Sequence, residues 1–450
     1  MSPHVRRAPV TVAVTSSLLI LATGFTGAAH AQDGTLATPT APPQTALSGR
    51  LTAPVTDDCP WATTPAAPVD ASEVPAAGAP LPSLLPVPAT HAGGPQMSAC
   101  GVVAAPAFIV PEDQTATSWI VFDLDSGDVL AAKDPHGRYR PASIIKVLLA
   151  LVVLDRLDLD REVTIGHDSA AMEGSRVGIV EGGRYTVEQL LQGLLMASGN
   201  DAAHALAQEL GGDERTLELI NTKTLDLGTQ DTRVATYSGL DGPGMSTSAF
   251  DMALAYRAAW ENEVFARIVR TDHVDFPGAP DGDSYQVWND NHLLLNDSDS
   301  IGGKTGFTDD ARHTFVGAME RHGRRLATVV LDTTTDKGRP WEQAQRLLNA
   351  GYAVPPQQSV GVVEKLAPAA PTSTASTMTS PTPEPAPSTS GAETDPRTVT
   401  LRLPAWKVAA MAVGGIFLGA LLFGIALNRV LSKRNRARRT DRRPGSVPRR

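Results

Sequence analysis

The feature that most constrains the fold is an apolar run that begins directly after Ser143. From Ile144 to Leu154 every residue is apolar except Lys146. The run is too short to span a bilayer, and a helix that is apolar on all sides is typical of the core of a large domain. Pro141 and Ser143 suit a helix start, because proline is tolerated in the first turn and serine can cap it.

Ser143 and Lys146 together suggest chemistry. Residues three apart lie on one face of a helix, so the Lys146 amine should reach the Ser143 hydroxyl. Burial disfavours the ammonium form and lowers the pKa of a lysine. A neutral amine beside a hydroxyl is a general base beside a nucleophile. A capping serine and a lysine that extends to water fit the same spacing, so the pair alone leaves both interpretations open.

The first 31 residues have the layout of a secretory signal peptide. Arg6 and Arg7 precede an apolar segment from about Val10 to Phe25, and Ala29-His30-Ala31 follows it. This order of charge, apolar segment and small residues predicts cleavage after Ala31. A retained membrane anchor is the alternative interpretation of the same segment.

A second apolar segment, residues 408–427, contains no charged residue and is long enough for one membrane crossing. Residues 428–450 follow it, and among their charged side chains only Asp441 is acidic. Cytoplasmic flanks of membrane helices collect positive charge. We therefore expect a single-pass protein of the cell membrane, with a cytoplasmic tail and the rest of the chain outside. The whole chain has a net charge of −9, which gives no electrostatic case for a nucleic acid partner.

Proline separates the remaining chain into three parts. Most of the 35 prolines lie before residue 112 or after residue 353. Residues 32–111, rich in Pro, Ala and Thr, are predicted to form a flexible or loop-like extracytoplasmic leader, and residues 353–403 a semi-extended stalk. The two cysteines, Cys59 and Cys100, both lie in the leader, and outside the cell such a pair can form a disulfide.

Residues 112–352 form the predicted folded domain. Strand patterns lie at its two ends, as hairpins over 119–131 and 313–333, and helix patterns fill the middle. Thr186 with Gln189 is a capping box at one helix start. This order predicts an α+β fold with an antiparallel β-sheet flanked by terminal helices, plus an all-helical lobe. Residues 271–300 are polar and are predicted to be loop-rich.

Three short motifs occur in order within this domain: Ser143-x-x-Lys146, Ser198-Gly199-Asn200 and Lys304-Thr305-Gly306. Their order and their placement on a helix start, an interhelical loop and a strand resemble the serine acyl-transferases that react with penicillin. Residues 112–352 resemble, in particular, the D-alanyl-D-alanine carboxypeptidases, the low-molecular-mass penicillin-binding proteins with a β-lactamase/transpeptidase-like fold. Other stretches that carry this resemblance are Glu173-Gly174-Ser175, Gly239-Leu240-Asp241, Asn289-x-Asn291 and Gly303 to Thr308.

The resemblance implies a serine hydrolase that needs no metal or cofactor. Its substrate would be a peptidoglycan stem peptide ending in D-Ala-D-Ala, and β-lactams would be covalent inhibitors. Ser143 would be the nucleophile, and Lys146, Ser198 and Asn200 would complete the catalytic set.

Substrate binding is implied by the third motif and by the segment that follows it. The terminal carboxylate of the substrate would contact Lys304 and Thr305, and Lys304 would also keep Lys146 neutral. Arg312 is a further candidate for this carboxylate. The oxyanion hole, next to Gly306, would be the backbone N–H of Ser143 and of Phe307.

Three other functions fit parts of this pattern. A β-lactamase of the common class needs a Glu-x-x-Leu-Asn loop, and the nearest match, Glu218-Leu219-Ile220-Asn221, lacks the leucine. A penicillin-binding sensor would bind its ligand or become acylated without releasing a product. All the expected catalytic side chains are present, however, which argues against a sensor. A transpeptidase or endopeptidase would form the same acyl-enzyme and differ only in the acceptor.

The chain also departs from the family it resembles. Many members carry a second, all-β domain after the catalytic domain, whereas this sequence turns into the predicted stalk near residue 353.

Overall fold

The computed structural model describes residues 49–279 and 282–366. The predicted signal peptide, the stalk from residue 367 on, the apolar segment 408–427 and the basic tail lie outside these residues. Among the helices of the described ranges, none is both long and apolar enough to cross a membrane.

The eleven strands of the described residues form one large sheet and two small two-stranded sheets. The large sheet is antiparallel, has the order β1-β3-β2-β10-β9-β8, and carries β11 beside β3. The pairs β4–β5 and β6–β7 are separate. The strands are β1 (Val102–Ala104), β2 (Ser118–Asp123), β3 (Asp128–Lys133), β4 (Glu162–Thr164), β5 (Arg184–Thr186), β6 (His273–Phe276), β7 (Tyr285–Trp288), β8 (Ser300–Thr308), β9 (Arg312–Arg321), β10 (Arg324–Thr333) and β11 (Gly361–Val362).

Helices cover both faces of the sheet. Short 3-10 turns at Pro95–Ser98 and Ala142–Ile145 accompany them. The helices of the described residues are α1 (Lys146–Arg156), α2 (His167–Ala170), α3 (Val187–Met196), α4 (Asn200–Glu209), α5 (Asp213–Leu227), α6 (Ala249–Trp260), α7 (Glu263–Val269), α8 (His292–Asn296) and α9 (Pro340–Tyr352).

The two faces of the sheet build two cores, because successive side chains of a strand point to opposite sides. Ile120 and Phe122 of β2 pack with α1, α3 and α6 in the larger core. Trp119 and Val121 of the same strand pack against α9 in the smaller core. The predicted α+β class, with an antiparallel sheet and a helical lobe inserted between its strands, is confirmed.

Local sequence signals located several elements correctly. Thr186 Oγ1 accepts the Gln189 N–H at 3.2 Å and the Gln189 side chain accepts the Thr186 N–H at 2.9 Å, which is the predicted capping box. The prediction for 271–300 was incomplete. This segment contains the β6–β7 hairpin and α8. The two strands carry exposed polar residues, so their sequence lacks a clear strand pattern.

Both predicted boundaries of the domain fall inside the sheet. β1 belongs to the predicted leader 32–111, and β11 lies beyond residue 352. From Gly49 on, the leader is also packed against the domain instead of forming a loose segment. The buried Arg138 side chain donates to the carbonyl oxygens of Thr63, Leu85 and Pro86 at 2.7–2.8 Å. The Arg138 guanidinium thus supplies hydrogen-bond donors for three backbone carbonyl groups in an irregular part of the leader.

Cys59 and Cys100 are joined by a disulfide within the leader. Met97, close to Cys100, is fully buried in the larger core. The leader is therefore tied to itself by the disulfide and to the domain by side chains at several points.

Candidate active site

Ser143 lies in the 3-10 turn that leads into α1 and caps no helix. Lys146 is the first residue of α1, and its Nζ donates to Ser143 Oγ at 2.9 Å. The contact expected from the three-residue spacing therefore exists. The alternative, a capping serine with a lysine that extends to water, does not describe this geometry, because the Lys146 side chain is fully buried.

All three acceptors around Lys146 are uncharged. Besides Ser143, its Nζ donates to Asn200 Oδ1 at 2.8 Å and to the carbonyl oxygen of Ser238 at 2.5 Å. Burial lowers the pKa of Lys146 well below its ordinary value, and the nearby Lys304 lowers it further. This environment favours the neutral amine, the form that can accept a proton from a serine hydroxyl.

The second motif forms the connection between α3 and α4. Ser198 is buried and has a φ of 57°, and Asn200 opens α4. The Asn200 amide binds at both ends: Oδ1 accepts from Lys146, and Nδ2 donates to the Glu173 carbonyl at 2.8 Å. Ser-Gly-Asn suits the tight turn between α3 and α4. The Asn200 side-chain amide also fixes the position of the Lys146 amine.

The third motif lies on β8, an edge strand of the large sheet. Lys304 is fully buried, with its Nζ 3.5 Å from Asp290 Oδ2 and donating to the Thr305 carbonyl at 2.9 Å. Burial lowers the pKa of Lys304, and Asp290 counteracts this effect. A cation thus stands at the start of the strand segment that faces Ser143.

Two glycines let backbone approach the Ser143 N–H closely. A Cβ on Gly306 would lie 2.9 Å from Ser143 N, and a Cβ on Gly239 would lie 2.8 Å from the same atom. Gly239 also has a φ of +85°, a conformation that other residues adopt at a cost. Phe307, next to Gly306, is 54% exposed. Neither glycine position tolerates a side chain without displacing the turn that carries the serine.

Arg312 lies at the start of β9, paired with Thr308 of β8. Its guanidinium donates to Asp332 at 2.7 Å, and Arg50 of the leader also contacts Asp332. The structure therefore gives Arg312 an intramolecular partner that the sequence did not suggest.

Several site groups were not predicted as such: the Ser238 and Glu173 carbonyl oxygens and the Asp290 carboxylate. Each lies in or next to a stretch that carried the family resemblance but had no assigned role, around Glu173, Gly239 and Asn289. The signal existed in the sequence, but backbone acceptors have no side-chain signature.

Comparison with known proteins decides the family. A family model described as D-alanyl-D-alanine carboxypeptidase, Peptidase_S11, matches residues 104–335, more than half of the chain. The chain belongs to this family. It is a serine-type D-alanyl-D-alanine carboxypeptidase.

Relatives within this family agree on the activity. D-alanyl-D-alanine carboxypeptidase DacB2 of Mycobacterium tuberculosis is 46% identical over 261 residues, which cover 57% of this chain and 89% of the relative. D-alanyl-D-alanine carboxypeptidase DacD of Salmonella typhimurium is 33% identical over 286 residues, which cover 60% of this chain and 70% of the relative.

Solved structures show the same fold. The structure of a D-alanyl-D-alanine carboxypeptidase from Mycobacterium tuberculosis superposes with a TM-score of 0.55 at 44% identity, over 58% of this chain and 99% of that one. The crystal structure of a Streptomyces DD-transpeptidase superposes with a TM-score of 0.51 at 28% identity, over 53% of this chain and 97% of that one.

Proposed function

We propose that Ser143 is the nucleophile of this carboxypeptidase and that Lys146 is its general base. The single observation that carries the proposal is the fully buried Lys146 amine, which lies 2.9 Å from Ser143 Oγ and donates to uncharged acceptors. Lys146 accepts the hydroxyl proton while Oγ bonds to the carbonyl carbon between the two D-alanines. The C–N bond then breaks, the proton passes to the leaving amine, and D-alanine departs.

Ser198 and Asn200 complete the proton path in this proposal. Ser198 relays the proton to the leaving amine, and Asn200 orients Lys146 and hydrogen-bonds the substrate backbone. In the second half-reaction, water attacks the acyl-enzyme and the proton returns to Ser143. The stem peptide, shortened by one D-alanine, leaves the site.

The substrate carboxylate is assigned to the third motif. Lys304 supplies positive charge and Thr305 a hydroxyl on the same strand. Arg312 remains a candidate for this carboxylate, although Asp332 holds it at 2.7 Å. The tetrahedral intermediate would be stabilised by the N–H groups of Ser143 and Phe307, which the close approach of Gly306 to Ser143 supports.

The chain outside the described residues is assigned from sequence alone. We infer a signal peptide at 1–31, a stalk that ends at 403, a membrane helix at 408–427 and a cytoplasmic tail at 428–450. The supporting features are the uncharged segment 408–427 and the basic residues after it. In this arrangement the catalytic domain acts on peptidoglycan from a membrane tether, outside the cell, and contributes to cell-wall maturation.

The acceptor of the acyl group has one competing candidate. The structural similarity to a DD-transpeptidase at 28% identity favours an amine acceptor as the second possibility, because acylation is the same and only deacylation differs. A β-lactamase would instead release hydrolysed penicillin quickly.

The test uses the full chain, a peptide ending in D-Ala-D-Ala and a fluorescent penicillin, with Ser143→Ala as the variant. We expect the parent to release D-alanine and to be labelled, and Ser143→Ala to lose both by at least about 10³-fold. Ser169→Ala is the control, because Ser169 is a buried serine that binds His204 in the helical lobe. Label without D-alanine release would support the transpeptidase, and rapid loss of label the β-lactamase.

A further inference from the structure

A cluster of charged side chains connects the leader to the catalytic domain beside Ser143. We call Glu73, Arg140, Asp241 and Asp310 the entrance cluster. Carboxylate oxygens of its three acids lie within 4.8 Å of one another. Only Glu73 belongs to the leader. The other three residues come from three separate segments of the domain.

The leader contributes several contacts to this cluster. Glu73 accepts from Arg140 with both carboxylate oxygens, one of them at 2.8 Å from Nη2. The Arg140 side chain is 4% exposed and that of Glu73 16%. Nearby, the Val69 N–H and the Ser72 hydroxyl donate to Asp310 at 2.5 and 3.2 Å. A buried bidentate pair of this kind fixes geometry as well as adding binding energy.

Each domain member belongs to a segment that frames the nucleophile. Arg140 stands three residues before Ser143. Asp241 stands two residues after Gly239, whose backbone approaches the Ser143 N–H. Asp310 lies in the turn after β8, and Thr308 of that strand donates to Asp241 at 2.9 Å. The cluster therefore joins the same three segments that meet at Ser143.

The charges explain why Glu73 matters to this arrangement. Burial raises the pKa of Asp241 to about 6, and the carboxylates of Asp310 and Glu73 add to the rise. Without Glu73, Arg140 would be a buried guanidinium that lacks its bidentate partner. Asp241 and Asp310 are its nearest acids, so Arg140 would turn towards them. The bond between Asp241 and Thr308 would then be disturbed, and with it the strand beside Phe307.

We propose that Glu73 is a positioning residue: through the entrance cluster, the leader holds the three segments that surround the Ser143 N–H in their reactive arrangement. The leader then contributes directly to the geometry of the active site. This inference rests on the proposed role of Ser143, which labelling of the parent enzyme tests separately.

The experiment compares Glu73→Ala with Gln230→Ala in the full chain. Gln230 also anchors the leader, accepting from the Ala92 N–H and donating to the Thr90 carbonyl, and in the described structure its side chain makes no hydrogen bond to the entrance cluster. We expect Glu73→Ala to lower the second-order rate constant of acylation by penicillin about tenfold, since small misplacements of reacting groups are costly. kcat for D-alanine release should fall in parallel. Glu73→Gln, which keeps one acceptor for Arg140, should recover most of the loss.

The control separates positioning from stability. Gln230→Ala should lower Tm without changing either rate at a temperature well below Tm. Acylation by Glu73→Ala at the parental rate would overturn the proposal and make the leader merely a stabilising segment. A defect with the peptide but not with penicillin would also overturn it, because restricted access would then be the cause. If Glu73→Ala does not fold, Asp310→Asn must show the acylation defect.

Discussion

Two lysines of the active site, Lys146 and Lys304, are both fully buried but have opposite surroundings. Lys146 donates only to uncharged oxygens, those of Ser143, Asn200 and Ser238. Lys304 has the Asp290 carboxylate at 3.5 Å. Burial lowers the pKa of both lysines, and Asp290 works against that shift at both, but it contacts the Lys304 amine directly.

This difference assigns the two roles. A buried lysine whose acceptors are all uncharged can act as a base, whereas a lysine in direct contact with a carboxylate keeps its proton more readily and can attract an anion. The charged Lys304 also lowers the pKa of Lys146. The site thus uses one buried cation to keep a second amine neutral.

The largest expected effect tests the base. Lys146→Met should lower the rate constant of acylation by about 10³-fold or more, because among the described residues the other hydrogen-bond partner of Ser143 Oγ is the Ser238 carbonyl, which cannot take its proton. The control is Lys223→Met, which removes a lysine of α5 that donates to Asp155 in the helical lobe. Acylation of Lys146→Met at the rate of the control would show that Lys146 is not the base.

A smaller effect tests the counter-charge. Asp290→Asn removes a carboxylate that raises the pKa of Lys304, which it contacts, and also that of Lys146, so Lys304 loses its proton at a lower pH. We expect KM for the D-Ala-D-Ala peptide to rise about fivefold near pH 8, the size of an interaction of about 1 kcal/mol. The alkaline fall of kcat/KM should move to lower pH.

The control for this change is Asp272→Asn, which removes an exposed carboxylate that accepts from His273. Its pH profile should match that of the parent. A profile for Asp290→Asn that also matches the parent would mean that Lys304 does not need the carboxylate to hold its charge.

The smallest effect concerns stability. The folded-state pKa of Lys146 is lowered, so between that value and the ordinary pKa near 10.5 the unfolded chain binds one more proton at this position. The free energy of unfolding contributed by Lys146 therefore increases with pH across this window. In urea titrations, the parent should gain stability relative to Lys146→Met as pH rises from 7 to 10. A constant difference would mean that the lysine is charged in the fold.

Sequence reasoning succeeded where the signal was local. The spacing of Ser143 and Lys146, the capping box at Thr186 and the two hairpins of the large sheet all depend on residues close together in the chain. The motif order added the family, and with it the meeting of Ser143 with Asn200 and Lys304. These predictions needed pattern and chemistry, not long-range geometry.

Sequence reasoning failed where a site residue bonds to a distant backbone group, and where an irregular segment contacts the domain. The Ser238 carbonyl lies 92 residues from Lys146, and nothing in its side chain marks it as an acceptor. The leader was expected to be loose because it has no apolar period. The leader is nevertheless held against the domain, because Arg138 and Lys133 of the domain donate to its backbone carbonyl groups. Arg140 adds a side-chain contact to Glu73.

The disulfide affects how readily a detached segment of the leader returns to the domain, more than how tightly that segment binds. Cys59 and Cys100 are 41 positions apart, and Glu73 lies inside the ring that they close. A ring whose ends are fixed keeps a detached segment within a small volume, so its local concentration near its binding site stays high. If Glu73 releases Arg140, recapture is an event within one molecule and is favoured by the ring. Reduction of the disulfide would enlarge the volume that Glu73 explores before it returns.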